Sequence, residues 1–293
     1  MNQSNRRIFT FKNQEYEIYV SDDTGFAITK PLNGLIASSV YETGHYQVQQ
    51  SKVIPIILNL PDFLFAVILL RNNGISKLSS LIDFGCGKGY FLYFLKQIGY
   101  KNLSGIETSE PRADFAEKLL LFKVHREYYY KGELLGKRWD CISLIHVLEH
   151  IEDPFNFLDS LLKGAVEDGG KIYIEVPNFH SLSSLIAGNI WAHFTPHFHT
   201  NHFTIKSLKR YCIEKNFKYK ILGTYSLYNG ILGMSSAMFS IFGYKGSIFE
   251  DLKLKKWYII GCLLVFLPIT FLLELFFSVF LNRGSVIKFL IYK

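Results

Sequence analysis

Cysteine is scarce: Cys86, Cys141, Cys212 and Cys262 are the only four in 293 residues, and they lie far apart. Without a C-x-x-C pair neither a disulfide framework nor a cysteine zinc site is expected, and the thiols read as buried groups in a reducing compartment. Residues 1–16 are polar and lack an apolar core, so no signal peptide is expected and the catalytic part is placed in the cytoplasm. Internal repeats and low-complexity tracts are missing as well. What is left is a chain of ordinary globular size, long enough for one domain with additions.

Hydrophobic residues make up 49% of the sequence and aromatics 16%, with a net charge of +7. Such a balance suits either nucleic acid or an anionic membrane surface, and the position of the charge decides between them. Over residues 204–293 thirteen Lys and Arg stand against four acids, Glu214, Glu250, Asp251 and Glu274, which leaves the rest of the chain slightly acidic. The positive excess therefore sits beside the most apolar part of the sequence. A membrane surface is favoured, and no nucleic-acid partner is expected.

Residues 81–92 read LIDFGCGKGYFL. A short apolar run ending in an acid, then alternating glycines and an apolar helix start, describes a buried parallel strand handing its chain to a helix through a tight turn. Gly85, Gly87 and Gly89 supply positive φ and bare backbone there, and Asp83 stands at the carboxyl end of the strand, where open α/β sheets bind ligands. A dinucleotide fingerprint would need its third glycine where Tyr90 stands, which disfavours a dehydrogenase. Residues 102–107 read as a second short strand ending in Glu107, with Thr108 beside it. An acid in that place can accept hydrogen bonds from both hydroxyls of a ribose.

Asp83-x-Gly85-x-Gly87-x-Gly89 resembles the first motif of class I methyltransferases that use S-adenosylmethionine. The resemblance implies that Asp83 helps hold the amino group of the methionine part. Gly85, Cys86, Gly87 and Gly89 would make room for its carboxylate and ribose, with Glu107 and Thr108 on the ribose side. The family often has a further acid that contacts adenine, for which Glu133 is the candidate.

Downstream, helices and strands alternate. Helices are expected at 90–99, 111–122 (with Pro111 in the first turn), 155–163 and 206–215; strands at 124–130, 139–147, 169–176, 219–225 and 285–292. Upstream, 14–20 reads as a strand and 22–25 as a turn, and the apolar stretch 51–73, interrupted by Pro55, Pro61 and Asp62, as a soluble helix packed on the first strand. The expected fold is α/β: a seven-stranded Rossmann-like sheet with helices on both faces and an apolar helical insertion before the last strand. In the family resembled, that last strand runs antiparallel beside the sixth. Four segments follow: an N-terminal cover and helix (1–75), the cofactor-binding core (76–230), apolar helices (231–284) and a final strand returning to the sheet (285–293). Residues 31–50, with Tyr41, His45 and Tyr46, resemble the tyrosine-rich cover of methyltransferases that modify sugars and lipids, without the zinc module that precedes it there.

His146-Val-Leu-Glu149-His150 matches H-x-x-E-H, a zinc-protease signature that requires a helix, whereas a strand-to-loop junction is expected here. The stretch also resembles the post-strand motif of quinone and sugar methyltransferases, which places His146 beside the cofactor. His146, Glu149 and His150 have the chemistry to hold a divalent ion, but ordering of the loop is the preferred reading and no metal is assigned. Farther on, Trp191, His193, His197, His199 and His202 share one aromatic loop. Methyl transfer to a hydroxyl or acidic carbon needs a base, and His199 and His202 are the candidates, by pKa and by resemblance to a histidine of sugar methyltransferases.

Residues 257–281 have the length and hydrophobicity of a membrane span, with Glu274 and Pro268 as interruptions. If the last strand returns to the sheet, both ends lie on one side of the membrane. A shallow or re-entrant helix pair bent at Pro268 is then expected on the cytoplasmic face, or alternatively a dimer interface. The expected function is S-adenosylmethionine-dependent methyl transfer to a hydroxyl or carbon of a lipid-linked sugar or another membrane-associated small molecule. The alternative is a non-catalytic membrane-associated scaffold that binds S-adenosylmethionine and is indifferent to the histidines.

Overall fold

A computed structural model describes residues 4–11, 14–32, 53–126, 134–254 and 256–293. The chain begins with β1 (Ser4–Phe11), β2 (Gln14–Ser21), β3 (Ala27–Pro31) and α1 (Val53–Asn72). There follow β4 (Leu81–Phe84), α2 (Tyr90–Gln97), β5 (Leu103–Ile106), α3 (Glu110–Leu120), β6 (Trp139–Ile145), α4 (Pro154–Gly164) and β7 (Val166–Pro177). The remainder is α5 (Leu182–Ala187), β8 (Asn201–His202), α6 (Ile205–Glu214), β9 (Lys218–Gly223), α7 (Leu227–Ile241), α8 (Ile248–Lys253), α9 (Trp257–Leu281) and β10 (Val286–Tyr292). Contacts group these into two units, one of residues 1–36, 176–210 and 221–288, the other of 37–175, 211–220 and 289–293.

The expected α/β architecture is a sheet of strand order β5-β4-β6-β7-β10-β9, whose parallel strands belong almost wholly to the second unit. Strands β5, β4, β6 and β7 are parallel neighbours. Leu81, Ile82, Cys141, Ile142 and Leu144 are completely buried, because helices cover both faces of the sheet; that is why these strands read as unbroken apolar runs. Local chemistry starts the helices. Pro111 lies in the first turn of α3, and Asp153 caps α4 by accepting from the Asn156 N–H at 3.2 Å, next to Pro154. α1 is one helix through Pro61 and lays Phe63 against Phe91 and Phe94 of α2. Six strands are described in this sheet. Of the strand expected at 124–130, His125 forms a single parallel bridge to Ile106, and 127–133, with Glu133, lies outside the described residues.

In the first unit β1, β2, β3 and β8 form a second, antiparallel sheet, of which the sequence predicts the strand at 14–20. The tyrosine-rich stretch 33–50 lies outside the described residues. The same unit holds α5, α7, α8 and α9. Where a helix pair bent at Pro268 was expected, α9 is one continuous helix. Pro268 faces outward and removes only the N–H that would have bonded the Leu264 carbonyl, which the helix tolerates.

Candidate active site

Three left-handed glycines shape the turn after β4: Gly85 (φ 71°), Gly87 (φ 56°) and Gly89 (φ 74°). A Cβ on Gly85 would stand 2.8 Å from Val147, so only glycine lets the turn approach that loop. Around Gly87 there is open space, and its N–H donates to Glu107 Oε2 at 2.9 Å. The Ser109 N–H donates to Glu107 Oε1 at 2.8 Å, so this one buried carboxylate ties the glycine turn to the start of α3. Cys86 bonds the Ile106 carbonyl through its N–H, while burial pushes its thiol well up; the side chain belongs to the core beneath the turn. Thr108 is exposed.

Asp83 is 3% exposed and accepts a 2.6 Å hydrogen bond from Ser143, its register partner on β6. Burial raises its carboxyl to about 7, opposed by the Ser143 bond and assisted by the nearby charge of Glu107. An acid so held gains from a cation. Tyr90, the residue after the last glycine, keeps a buried phenol oxygen with no hydrogen-bond partner among the described residues. The uncompensated carboxyl, the open space at Gly87 and this unpaired phenol fit a ligand that brings an ammonium and polar groups to the end of β4.

His146 occupies the left-handed region (φ 55°), unusual for a residue with a side chain, at the junction of β6 with the Leu148–His150 turn. Its Nδ1 lies 3.2 Å from Glu149 and its Nε2 3.7 Å from Glu175, and both carboxylates are buried. The α-helix that the protease signature requires is absent from these residues.

In the first unit the loop histidines differ from one another. His202, on β8, is 5% exposed; its Nε2 is 2.7 Å from Thr29 Oγ1, and its ring lies 5.1 Å from both Phe179 and Phe194. That enclosure gives it a packing role, and to act as a base it would have to leave the cluster. His193 donates from Nε2 to the Asn229 carbonyl at 3.0 Å. His199, half-buried, donates from Nδ1 to the His193 carbonyl at 2.8 Å. Since a carbonyl only accepts, the neutral ring of His199 carries its basic lone pair on Nε2.

The family described as Methyltransferase domain matches residues 57–220, more than half of the chain. The chain belongs to this methyltransferase family. Membership implies S-adenosylmethionine as the methyl donor. Among similar proteins, a tRNA U34 carboxymethyltransferase of Sulfurimonas denitrificans is 30% identical over 53% of this chain and 54% of its own length. A mitochondrial ubiquinone biosynthesis O-methyltransferase of Dictyostelium discoideum is 26% identical over 37% of this chain and 38% of its own. The chain thus spans about half the length, or less, of the curated relatives it matches. Among solved structures, the plantazolicin methyltransferase BpumL in complex with a desmethyl analogue and SAH aligns with a TM-score of 0.49 at 17% identity, covering 82% of this chain and 86% of that one.

Sequence reasoning missed Ser143, Glu175 and Tyr90. Ser143 left a trace, as a small polar residue inside the apolar run of β6. Glu175 and Tyr90 left none, because their role rests on which strand ends and turns meet.

Proposed function

We propose that the chain transfers a methyl group from S-adenosylmethionine to a hydroxyl, or an acidic carbon, of a membrane-associated small molecule such as a lipid-linked sugar, on the cytoplasmic face of a membrane. One observation carries the reading: a buried acid with a single hydrogen bond among the described residues, Asp83, beside an open glycine turn whose N–H is held by a second acid, Glu107. The bound cofactor supplies an electrophilic methyl on a sulfonium. Asp83 answers the ammonium of the methionine part, and Glu107 offers its remaining lone pairs to the ribose hydroxyls. His199 is the candidate base: a proton leaving the acceptor passes to Nε2, while the Nδ1–H bond to the His193 carbonyl fixes the ring. The relatives' names include tRNA and ubiquinone biosynthesis, and the exposed apolar helix α9 supports the apolar class for this chain.

Calorimetric titration of the full chain in detergent with S-adenosylmethionine tests this, alongside an Asp83→Ala, Glu107→Ala double variant. Binding by the wild type and its loss in the variant are expected, followed by methylation of a component of a lipid extract and not of tRNA. His199→Gln should then abolish methylation with the cofactor affinity kept, whereas His202→Gln should lower stability first. A folded wild type that binds no cofactor overturns the reading.

A further inference from the structure

Helix α9 is amphipathic in the inverse sense for a protein in water. Its buried row includes Thr270, Glu274 and Ser278, while its exposed residues are apolar or aromatic throughout and include Leu264, Val265, Leu272 and Phe276. Its mean hydropathy is 2.5 over a window of which only 17% is buried. Water does not select such a face, and a surface this extended asks for a cover. The ends of the helix say which. Trp257 and Tyr258 stand exposed in the first turn, the placement aromatic side chains take at a lipid–water boundary. Exposed Arg283 follows the helix at once, and exposed Lys245 lies in the segment between α7 and α8, two cations suited to anionic headgroups.

The helix lies along its unit. Leu232 and Phe239 of α7 pack with Leu263 and Phe266 of α9, and Met234 and Ala237 with Leu273 and Phe277. Gly230 of α7 lies against Glu274, and the Phe239 ring is 6.0 Å from that of Phe266, so the two helices run antiparallel. Fifteen residues make α7 about 22 Å long, short of the roughly 30 Å of hydrocarbon that a crossing pair must span. The apolar surface also continues sideways. Exposed Phe242 stacks on Phe266 at 5.8 Å, and Ser240 reaches the Ile186 carbonyl at 3.4 Å; Ile186 and its neighbour Leu185 on α5 are exposed. Leu185 in turn lines a cavity of about 580 Å³ with Ile18, Phe179, Phe194 and the cation Arg7.

We infer that this unit seats on an anionic lipid bilayer, with α9 in the plane of the headgroup–acyl boundary and the Leu185 side of the cavity turned to the acyl phase. A molecule held in that boundary would meet an apolar cavity with a cation at hand, without crossing water. The inference stands apart from methyl transfer, since bilayer binding is read without cofactor and either can fail while the other holds.

Flotation of the full chain with phosphatidylcholine vesicles, with and without phosphatidylglycerol, is the test. The wild type should float, more completely with the anionic lipid. Val265→Glu with Leu272→Glu should weaken binding at least about tenfold, with the circular dichroism spectrum and thermal melt unchanged as proof of folding. Lys245→Gln and Arg283→Gln should each remove only part of the anionic preference, about fivefold. For orientation, Trp257 and a tryptophan placed by Leu281→Trp should be quenched alike by lipids brominated near the headgroup, because Trp139 and Trp191 are buried and stay silent. Three results overturn the proposal: a wild type that stays at the bottom of the gradient, quenching at opposite depths at the two ends, or a detergent-free dimer that the glutamate pair dissociates without any flotation, which would make a second copy the cover.

Discussion

Asp83 and Glu274 are carboxylates of similar burial, 3% and 1% exposed, in two regions that treat them differently. At the glycine turn, Asp83 has one hydrogen bond, from Ser143, and its carboxyl rises to about 7. In the apolar pair, Glu274 accepts from the Ser285 N–H (2.8 Å), the Ser285 hydroxyl (3.0 Å) and the Ser278 hydroxyl (3.3 Å). Gly230 leaves room for the same side chain: a Cβ there would stand 2.4 Å from its Cγ. A buried carboxyl answered on several sides holds a fold together, and one answered on a single side is poised for a ligand. The contrast separates a structural acid from a binding acid with no reference to their sequence neighbourhoods.

The largest expected effect tests the binding half. Asp83→Asn keeps the shape and removes the charge that an ammonium would meet, so affinity for S-adenosylmethionine should fall by about 3 kcal/mol, roughly a hundredfold. Without cofactor the variant should be no less stable than wild type at pH 8, since a poorly compensated charge has gone. Calorimetry and thermal melts read the two sides, and an affinity within twofold of wild type would break the comparison.

Glu274→Ala tests the structural half and should do the reverse. It leaves the Ser285 N–H and the Ser278 hydroxyl without their acceptor in a buried place, while the Ser285 hydroxyl keeps Ser183 at 3.0 Å, at a cost of about 2–3 kcal/mol. The melting temperature in detergent should drop by about 5–10 °C while cofactor affinity stays within twofold. Glu274→Gln, which keeps an acceptor, should recover most of the loss. A fall in affinity larger than the fall in stability would mean that Glu274 also serves the site.

How much of this contrast was legible in the sequence differs between the two acids. Asp83, the glycines and Glu107 announced themselves because each belongs to a strand end or a tight turn, where spacing and geometry are one fact. The parallel sheet was legible for the same reason, since burial on both faces writes continuous apolar runs into β4, β6 and β7. Glu274 looked like a flaw in an apolar segment. Its partners Ser278 and Ser285 are near in sequence, but only the return of the chain at Arg283 and Gly284 turns them toward it. Pro268 suggested a division into two helices, whereas α9 continues through it. The N-terminal sheet was half visible, because β2 alternates only weakly, while β8 is two residues long and pairs Ala27 with His202 and Ile28 with Asn201, far apart in sequence.

Titration offers a sharper and smaller effect. The Asp83 carboxyl titrates near 7 in the folded chain and near its ordinary value of 3.8 when unfolded, so folding takes up a proton between those values. The associated stability is whole below about pH 4 and is lost as pH rises through 7. Cofactor binding has the opposite sense, because an ammonium favours the ionised acid. Affinity should fall about fivefold from pH 7 to pH 6, where the proton must first leave, and fall again above about pH 8 as an α-amino group loses its charge. Asp83→Asn should erase the acid limb and leave the alkaline one. An acid limb that survives in the variant would assign the titration to another group, with His146 the next to examine.

The smallest expected effect separates backbone strain from site geometry. Gly87 and Gly169 both have positive φ, 56° and 80°, and neither has an atom within 4 Å of where a Cβ would stand. Alanine at either position should therefore cost about the same in stability, roughly 1 kcal/mol for a left-handed backbone with a side chain. Only at Gly87 does the new methyl enter space beside Glu107 and the end of β4, so Gly87→Ala should also weaken S-adenosylmethionine binding, by about a further 1 kcal/mol. Gly169→Ala should leave binding at the wild-type value. Equal affinities in the two variants would mean that the open space at Gly87 is an ordinary turn surface, and would move the cofactor's polar contacts toward the unpaired phenol of Tyr90.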